Sequence, residues 1–396
     1  MNGPYRILYH HRIRSDDGQA VHVRELIGAL REQGHTVHEC ALVPKSAGGR
    51  SAARDAAPRG LWQRLRLPRA ATEVLEILYD RAGRRRLAQA ARELRPHFVY
   101  ERHALHCRSG LDVARAFGVP LLLEVNSPMV TEMQRLGSLC FPARARATER
   151  AVLAGADAVL AVTAVLGGML VQAGARRERL HVVGNGADPR RYGADARAAA
   201  AAVRARLGLD DGAFVLGFVG YARPWHRLDL LLDVLGRPGF GAVVLLLMGR
   251  GPAIEPLLAA AAARGLGARV RALGDVPAEL LPAHVLACDG ALIPAINEYA
   301  SPLKLFDSLA AGVPTLAPDQ PNLRETVRDG DSALLFTPGS ADDLARQLGR
   351  LVHDRTFARA LGAAGRAALD AHEWTWAGNA ARVAAIYAAL AAAVPR

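Results

Sequence analysis

Lysine is almost missing from this chain: only Lys45 and Lys304 stand among its 50 basic residues, and the rest are arginine. A formal charge of +12 carried in that proportion reflects in part a compositional bias of the genome, which weakens a nucleic-acid reading of the charge. Aromatic residues make up 5%, so alanine supplies much of the 51% hydrophobic content. Cys40, Cys107, Cys140 and Cys288 are far apart and form no CxxC pair, so neither a zinc ribbon nor a disulfide framework is suggested. No window offers about 18 uninterrupted apolar residues. The best candidate, Trp376 to Val394, is broken by Asn379 and Arg382 and reads as an amphipathic helix. The start, MNGPYRILYH, reaches a polar loop by Ser15 without the apolar stretch and cleavage site of a signal peptide, so a cytoplasmic protein is expected.

What is present is charge in one place and a repeated grammar everywhere else. Between Pro44 and Arg95 stand 13 basic and 5 acidic residues, together with Leu61, Trp62, Leu65 and Leu67. Such a segment (44–95) is either a solvated helical cover or a surface for anionic lipid, which would place the protein peripherally on the inner face of the cell membrane. From Arg6 onward, short apolar runs alternate with helical periods: RILY, TVHECALV, HFVYE, VPLLLEV, DAVLAV and RLHVV. After a break at GNGADPRRYGAD the grammar restarts with AFVLGFVG, AVVLLLMG, RVRAL, GALIP, PTLAP and ALLF. Strands alternating with helices imply an α/β fold with parallel sheets covered on both faces. Ligands of such sheets bind beyond the carboxyl ends of the strands.

The segment EYASPLKLFDSLAAGVPTLAP is the most informative. Ser301 followed by Pro302 predicts a helix start, and the first-turn amides near Leu303 and Lys304 would then point at an anion. At helical spacing Lys304 and Asp307 share a face, so one cation and one carboxylate could hold a phosphate and a ribose diol. An ordinary surface ion pair between the two is the competing reading.

Taken in order, SDDGQAVHVRELIGALREQGHTV, VPLLLEVNSP, ADAVLAVTAVL, RLHVVGNGAD, GFVGYARPWHRLDLLL, LLLMGRGP, LGDVPAELLP, SPLKLFDSLAAGVP and WTWAGNAARV run almost end to end. This series resembles a retaining, nucleotide-sugar-dependent glycosyltransferase of family 4 (group 1). The resemblance implies the GT-B architecture of two Rossmann-like doubly wound domains facing a cleft. The expected division is an acceptor domain over 1–190, a linker over 191–212, a donor domain over 213–370, and a terminal helix over 371–396 returning to the first domain. It also implies transfer of a sugar from a nucleoside-diphosphate sugar to a glycan, lipid-linked or small-molecule acceptor in bacterial polysaccharide or glycoconjugate synthesis. No metal or other cofactor is expected, and no nucleic acid.

The resemblance assigns roles residue by residue. Gly18 approaches the donor phosphate. Tyr221 and His226 stand where the family carries an Arg and a Lys on the diphosphate, so Arg223 and His226 are assigned to the leaving charge, with Arg227 as the alternative. The family's paired glutamates are altered: Asp307 keeps the ribose position, while the first falls on Tyr299 with Glu298 adjacent. Ser301, Pro302, Leu303 and Lys304 complete the donor side with Val276. Asn126 stands at the family's histidine position as a group that positions the sugar, and His103 is placed on the acceptor side. DGD at 329–331 is read as a turn, and GRGP at 249–252 as a base or ribose loop or a simple strand-to-helix turn. These departures keep a second class open, a catalytically silent nucleotide-sugar or glycan-binding protein on the same fold. A sugar-nucleotide epimerase is a third.

Overall fold

The computed structural model describes residues 3–15, 17–41, 43–45 and 69–393. All twelve segments quoted above contain strands: β1 (Arg6–His11), β2 (Thr36–Ala41), β3 (Phe98–Arg102), β4 (Leu121–Val125), β5 (Ala158–Ala161), β6 (Leu180–Val182), β7 (Phe214–Val219), β8 (Val243–Met248), β9 (Val270–Ala272), β10 (Gly290–Leu292), β11 (Thr315–Pro318) and β12 (Leu334–Phe336). They form two six-stranded sheets, ordered β2-β1-β3-β4-β5-β6 and β12-β11-β10-β7-β8-β9, with every strand pair parallel.

The chain divides into two compact units, 1–184 with 379–396, and 185–378. In the first unit β3 and β4 are buried along their whole length, as continuous runs such as LLLEV require when helices cover both faces. The final helix, Trp376–Ala393, contributes Tyr387, which stacks on Phe98 at 4.7 Å and meets the edge of Tyr5 at 4.7 Å. The basic stretch resolves in part into one long helix, Arg69–Leu94. Leu61, Trp62, Leu65 and Leu67, which carried the lipid reading, lie outside the described residues.

In the second unit one large cluster runs from Phe214, Leu216 and Phe218 on β7 through Leu245 and Leu247 on β8 to Leu344 and Leu348. The helix Arg355–Ala371 comes so close to the loop before β11 that a Cβ on Gly362 would lie 2.1 Å from the Gly312 carbonyl oxygen. In each unit the strand order reverses beside a central strand, between β1 and β3 and between β7 and β10. The crevice at such a switch point, past the carboxyl ends, is where an open sheet takes its ligand.

Two glycines give opposite expectations. Gly362→Ala drives a methyl into fixed backbone and is expected to destabilise by about 1–3 kcal/mol or more. Gly28, inside the helix Gly18–Glu32, has nothing within 4 Å of its would-be Cβ. Gly28→Ala is therefore expected to stabilise by about 0.5–1 kcal/mol. Chemical denaturation midpoints of the two variants check both signs.

Candidate active site

At the switch point of the second sheet, β7 runs into Gly220, whose φ of +125° turns the chain sharply. The GRGP turn after β8 packs against this loop: a Cβ on Gly249 would lie 2.3 Å from the Gly220 carbonyl oxygen, and one on Gly251 2.2 Å from that of Ala222. Only glycine fits there. The Ala222 amide donates to the Arg250 carbonyl at 2.7 Å, so GRGP braces the loop from behind.

The braced loop carries a short turn, Pro224–His226. The Arg223 amide donates to Nδ1 of His226 at 3.0 Å, which leaves the ring proton on Nε2. His226 is buried, its ring edge-on to Phe218 at 5.3 Å. Burial first, then the Lys304 charge, lower its pKa to about 3. The ring at 226, assigned to the leaving charge, is thus a neutral N–H donor. Arg223 is exposed, its guanidinium 5.0 Å from the Tyr221 ring centre. Arg227, the alternative, is held by Asp229 at 3.0 Å.

Facing this loop from the adjacent strand is the helix Leu303–Ala311. Ser301 does not cap it. Pro302 occupies the cap position without a capping side chain, because Ser301 is drawn away: its hydroxyl accepts the Asn185 amide at 3.0 Å and its carbonyl accepts the Asn185 side chain. Pro302 therefore sits one residue ahead of the expected first helical position. Leu305 bonds back to the Pro302 carbonyl at 3.0 Å, while among the described residues nothing accepts from the amides of Leu303 and Lys304. Uncapped first-turn amides are a ready anion site.

Lys304 reaches across to β7, its ammonium 4.0 Å from the Phe218 ring centre. A Cβ on Gly220 would lie 3.5 Å from Nζ, so that glycine makes room for it. No carboxylate pairs with Lys304 among the described residues, so the ordinary surface pair with Asp307 is not formed. Burial lowers the Lys304 pKa to about 7. Asp307 instead accepts the hydroxyl of buried Tyr192 at 2.8 Å. An unpaired cation, a neutral N–H and two free amides gather around one spot, with a carboxylate one helical turn further on.

The loop before this helix is set by residues that sequence reasoning passed over. Asn322, buried, donates to the carbonyls of Asn297 and Ala300 at 3.2 and 2.7 Å, and Gln320 donates to that of Ile296 at 3.2 Å. Tyr299 turns inward, 6% exposed, and its hydroxyl accepts from Asn297 at 2.9 Å. Tyr299, assigned to the donor sugar, packs inward, whereas Glu298 beside it is exposed. Val276 packs against the apolar cluster of Val215, Leu246 and Met248. At 329–331, Asp329 accepts the Leu335 amide at 2.8 Å and Gly330 has φ +77°, the geometry of a turn.

In the first unit the polar residues crowd the carboxyl ends of β1, β3 and β4. Glu124, 3% exposed, accepts from His22 at 3.0 Å, from Tyr100 at 2.6 Å, from Arg102, and from the Asn126 amide nitrogen at 2.5 Å. Burial alone would raise its pKa, but the charges of His22 and Arg102 and the hydrogen bonds hold the carboxyl well below the usual range. Asn126 is thereby oriented, with one of its N–H groups already committed. Burial lowers the His103 pKa to about 4, and its Nδ1 has no partner among the described residues. Gly18 is the first residue of its helix, behind Asp17, whose carboxylate accepts the Gln19 amide at 3.0 Å.

Donor atoms of His10, Glu101 and Cys107, all buried, lie within 4.8 Å of one another and form the one metal-sized group among the described residues. They already bond among themselves: one oxygen of Glu101 takes His10 at 2.5 Å, the Gly110 amide at 2.9 Å and the Cys107 thiol at 3.7 Å. Burial pushes the Cys107 thiol up, away from the thiolate a metal would need.

Two six-stranded parallel sheets, each doubly wound with helices, place the chain in the GT-B class of α/β proteins. A family model described as Glycosyl transferases group 1 matches residues 200–368, and one described as Glycosyltransferase Family 4 matches residues 17–191. The D-inositol 3-phosphate glycosyltransferase of Nocardia farcinica is 32% identical over 318 residues, 76% of this chain and 69% of that protein. The 2-deoxystreptamine glucosyltransferase of Streptomyces kanamyceticus is 29% identical over 253 residues, 62% of this chain and 65% of that protein. The chain thus spans about two thirds of the length of these curated relatives. The crystal structure of Anabaena HepE in complex with UDP-glucose matches with a TM-score of 0.70 at 19% identity, covering 98% of this chain and 100% of that one, a likeness of fold. The chain belongs to the group 1 glycosyltransferases.

Lys304 gives the site a pH signature. Its pKa is about 7 folded against 10.5 unfolded, so between those values the unfolded chain binds more protons and stability rises with pH. Below pH 7 both states are protonated and this contribution is flat. Denaturation midpoints at pH 7, 8 and 9 are expected to climb more steeply in the unmodified protein than in Lys304→Met.

Proposed function

We propose that this protein moves a sugar, with retention of configuration and without a metal, from a nucleoside-diphosphate sugar to a small polyhydroxylated ring. The observation that carries the reading is the cradle without a counter-charge: Lys304 unpaired over Phe218, His226 fixed as a neutral donor, and the Leu303 and Lys304 amides uncapped. A diphosphate supplies the missing negative charge. Asp307, held by Tyr192, then accepts from the ribose hydroxyls.

The chemistry needs little else from the second unit. The bond from the anomeric carbon to the phosphate oxygen breaks, and the acceptor oxygen bonds to that carbon from the same face. The acceptor proton passes to the departing phosphate, so no strong side-chain base is required. Charge grows on the diphosphate as it leaves, and preorganised donors aimed at that charge lower the barrier. Arg223, exposed and set against the Tyr221 ring, adds an outer cation.

For the acceptor, the two relatives named above act, by their names, on D-inositol 3-phosphate and 2-deoxystreptamine, both six-membered carbocycles bearing hydroxyls. That favours the small-molecule branch over a glycan or lipid-linked acceptor. Asn126, His103 and Arg102 cluster where the first sheet would present such a ring. A role in polysaccharide or glycoconjugate synthesis, with 44–95 resting on an anionic membrane surface from the cytoplasmic side, is the second form of the proposal. Among the described residues no helix is long and apolar enough to cross a membrane.

The test incubates the protein with UDP-, GDP-, ADP- and dTDP-sugars and either D-inositol 3-phosphate or 2-deoxystreptamine, measuring nucleoside diphosphate release and the anomeric configuration of the product by NMR. Acceptor-dependent release with retained configuration is expected. Nucleotide binding without turnover with either ring, or with glycan acceptors, would leave the silent binding protein. Lys304→Met is expected to weaken donor binding by about 1.5–3 kcal/mol, the worth of a hydrogen bond to a charged group. Arg223→Ala is expected to lower kcat by tenfold or more with little change in donor KM, because its contact strengthens as charge develops.

A further inference from the structure

At the opposite edge of the second sheet, before the amino ends of β10 and β11, lies an open cavity of about 590 Å³ within the second unit. Its walls carry Arg197, Arg355, Arg359 and Arg366 against a single acidic residue, Asp289, with the Gly312–Pro314 loop between them. Four arginines converging on a concavity repel one another and focus a positive potential into it.

Asp289 does not cancel that potential, because its own charge is shared out. Its carboxylate takes Arg204 at 3.0 Å, the Val215 amide at 2.8 Å and Arg355 at 2.9 Å. Arg355 is fixed further by the Ala213 carbonyl at 3.1 Å and by stacking 4.7 Å above Phe214. Arg366 is anchored by the Ala310 carbonyl at 2.7 Å and by Asp370 at 2.9 Å. These two guanidinium groups are ordered before any ligand arrives, which removes part of the entropy cost of binding. Arg197 and Arg359 are exposed, and their guanidinium groups have no hydrogen-bond or ion-pair partner among the described residues. An arginine fork matches the oxygens of a phosphate.

We propose that this cavity is a second anion site, separate from the cradle at Lys304, and that it takes a small ligand bearing two or more phosphate charges. Its volume falls in the range of small-molecule sites, about 300–1,000 Å³. Two prepositioned arginines hold the ligand and two free ones close on it. The loop Gly312–Pro314 ends the same helix, Leu303–Ala311, whose first turn carries Lys304, so one helix links the two anion sites.

Isothermal titration of the full chain with inorganic pyrophosphate at low ionic strength reads the number of sites. Two are expected in the unmodified protein, one lost in Lys304→Met and the other weakened at least tenfold in Arg197→Ala/Arg359→Ala. Both guanidinium groups are exposed and unpartnered among the described residues, so that double variant is expected to keep its denaturation midpoint. A single site that disappears with Lys304→Met, or a second site untouched by the double variant, overturns the proposal. Co-sedimentation with vesicles containing phosphatidic acid, abolished by the double variant, would assign the ligand to a lipid headgroup. Pyrophosphate binding without co-sedimentation would assign it to a soluble phosphate.

Discussion

A strand buried on both faces can place a polar residue without penalty only where the sheet ends, and that constraint organises this protein. Beyond the exposed Arg6 that opens β1, β1, β3 and β4 carry no charge until their last two positions, where His10, His11, Glu101, Arg102 and Glu124 appear together. These groups are still buried, so each must find a partner nearby, and the parallel register brings them to one edge where they can. Glu124 alone satisfies His22, Tyr100, Arg102 and Asn126. The network fixes the side chains that the crevice presents, since a half-satisfied buried charge would cost several kcal/mol.

The same constraint acts differently in the second unit. There β7 and β8 run into glycine rather than ending in charge, and the crevice is lined by backbone: the turn at Gly220, the brace at Gly249 and Gly251, and the open end of the helix Leu303–Ala311. Backbone donors are fixed by the fold and need no ordering when a ligand arrives. The crevice of the first unit thus presents a charged side-chain network, and that of the second presents amides and one lysine.

Much of this was legible because the signals were local. Each strand announced itself as a short apolar run between turn residues, and SPLK marked the helix that carries the cradle. What was not legible depended on distant partners. Ser301 reads as a helix cap from its neighbours alone, but Asn185, 116 positions away, claims it. Asp307 takes its orientation from Tyr192, 115 positions away. Tyr299 stands at the sugar-facing position that the resemblance implies, and Asn322 and Gln320 fold the loop so that it packs inward. One signal was present and unread: Glu101, Arg102 and Glu124 stand at the ends of runs otherwise apolar, and charge in that place marks the ligand edge of a parallel sheet.

The neutral ring at position 226 shows how the departures from the family pattern fit together. A second cation there would lie close to Lys304 with no carboxylate between them, and each would disfavour the charge of the other. Lys304 is already near the point of losing its proton through burial, with a pKa of about 7. Replacing the second fixed cation by an N–H donor keeps a directional contact while removing that repulsion. The remaining positive charge is moved outward to Arg223, which solvent screens and Tyr221 supports. The loop and the helix Leu303–Ala311 therefore meet with less mutual repulsion than two fixed cations side by side would give them.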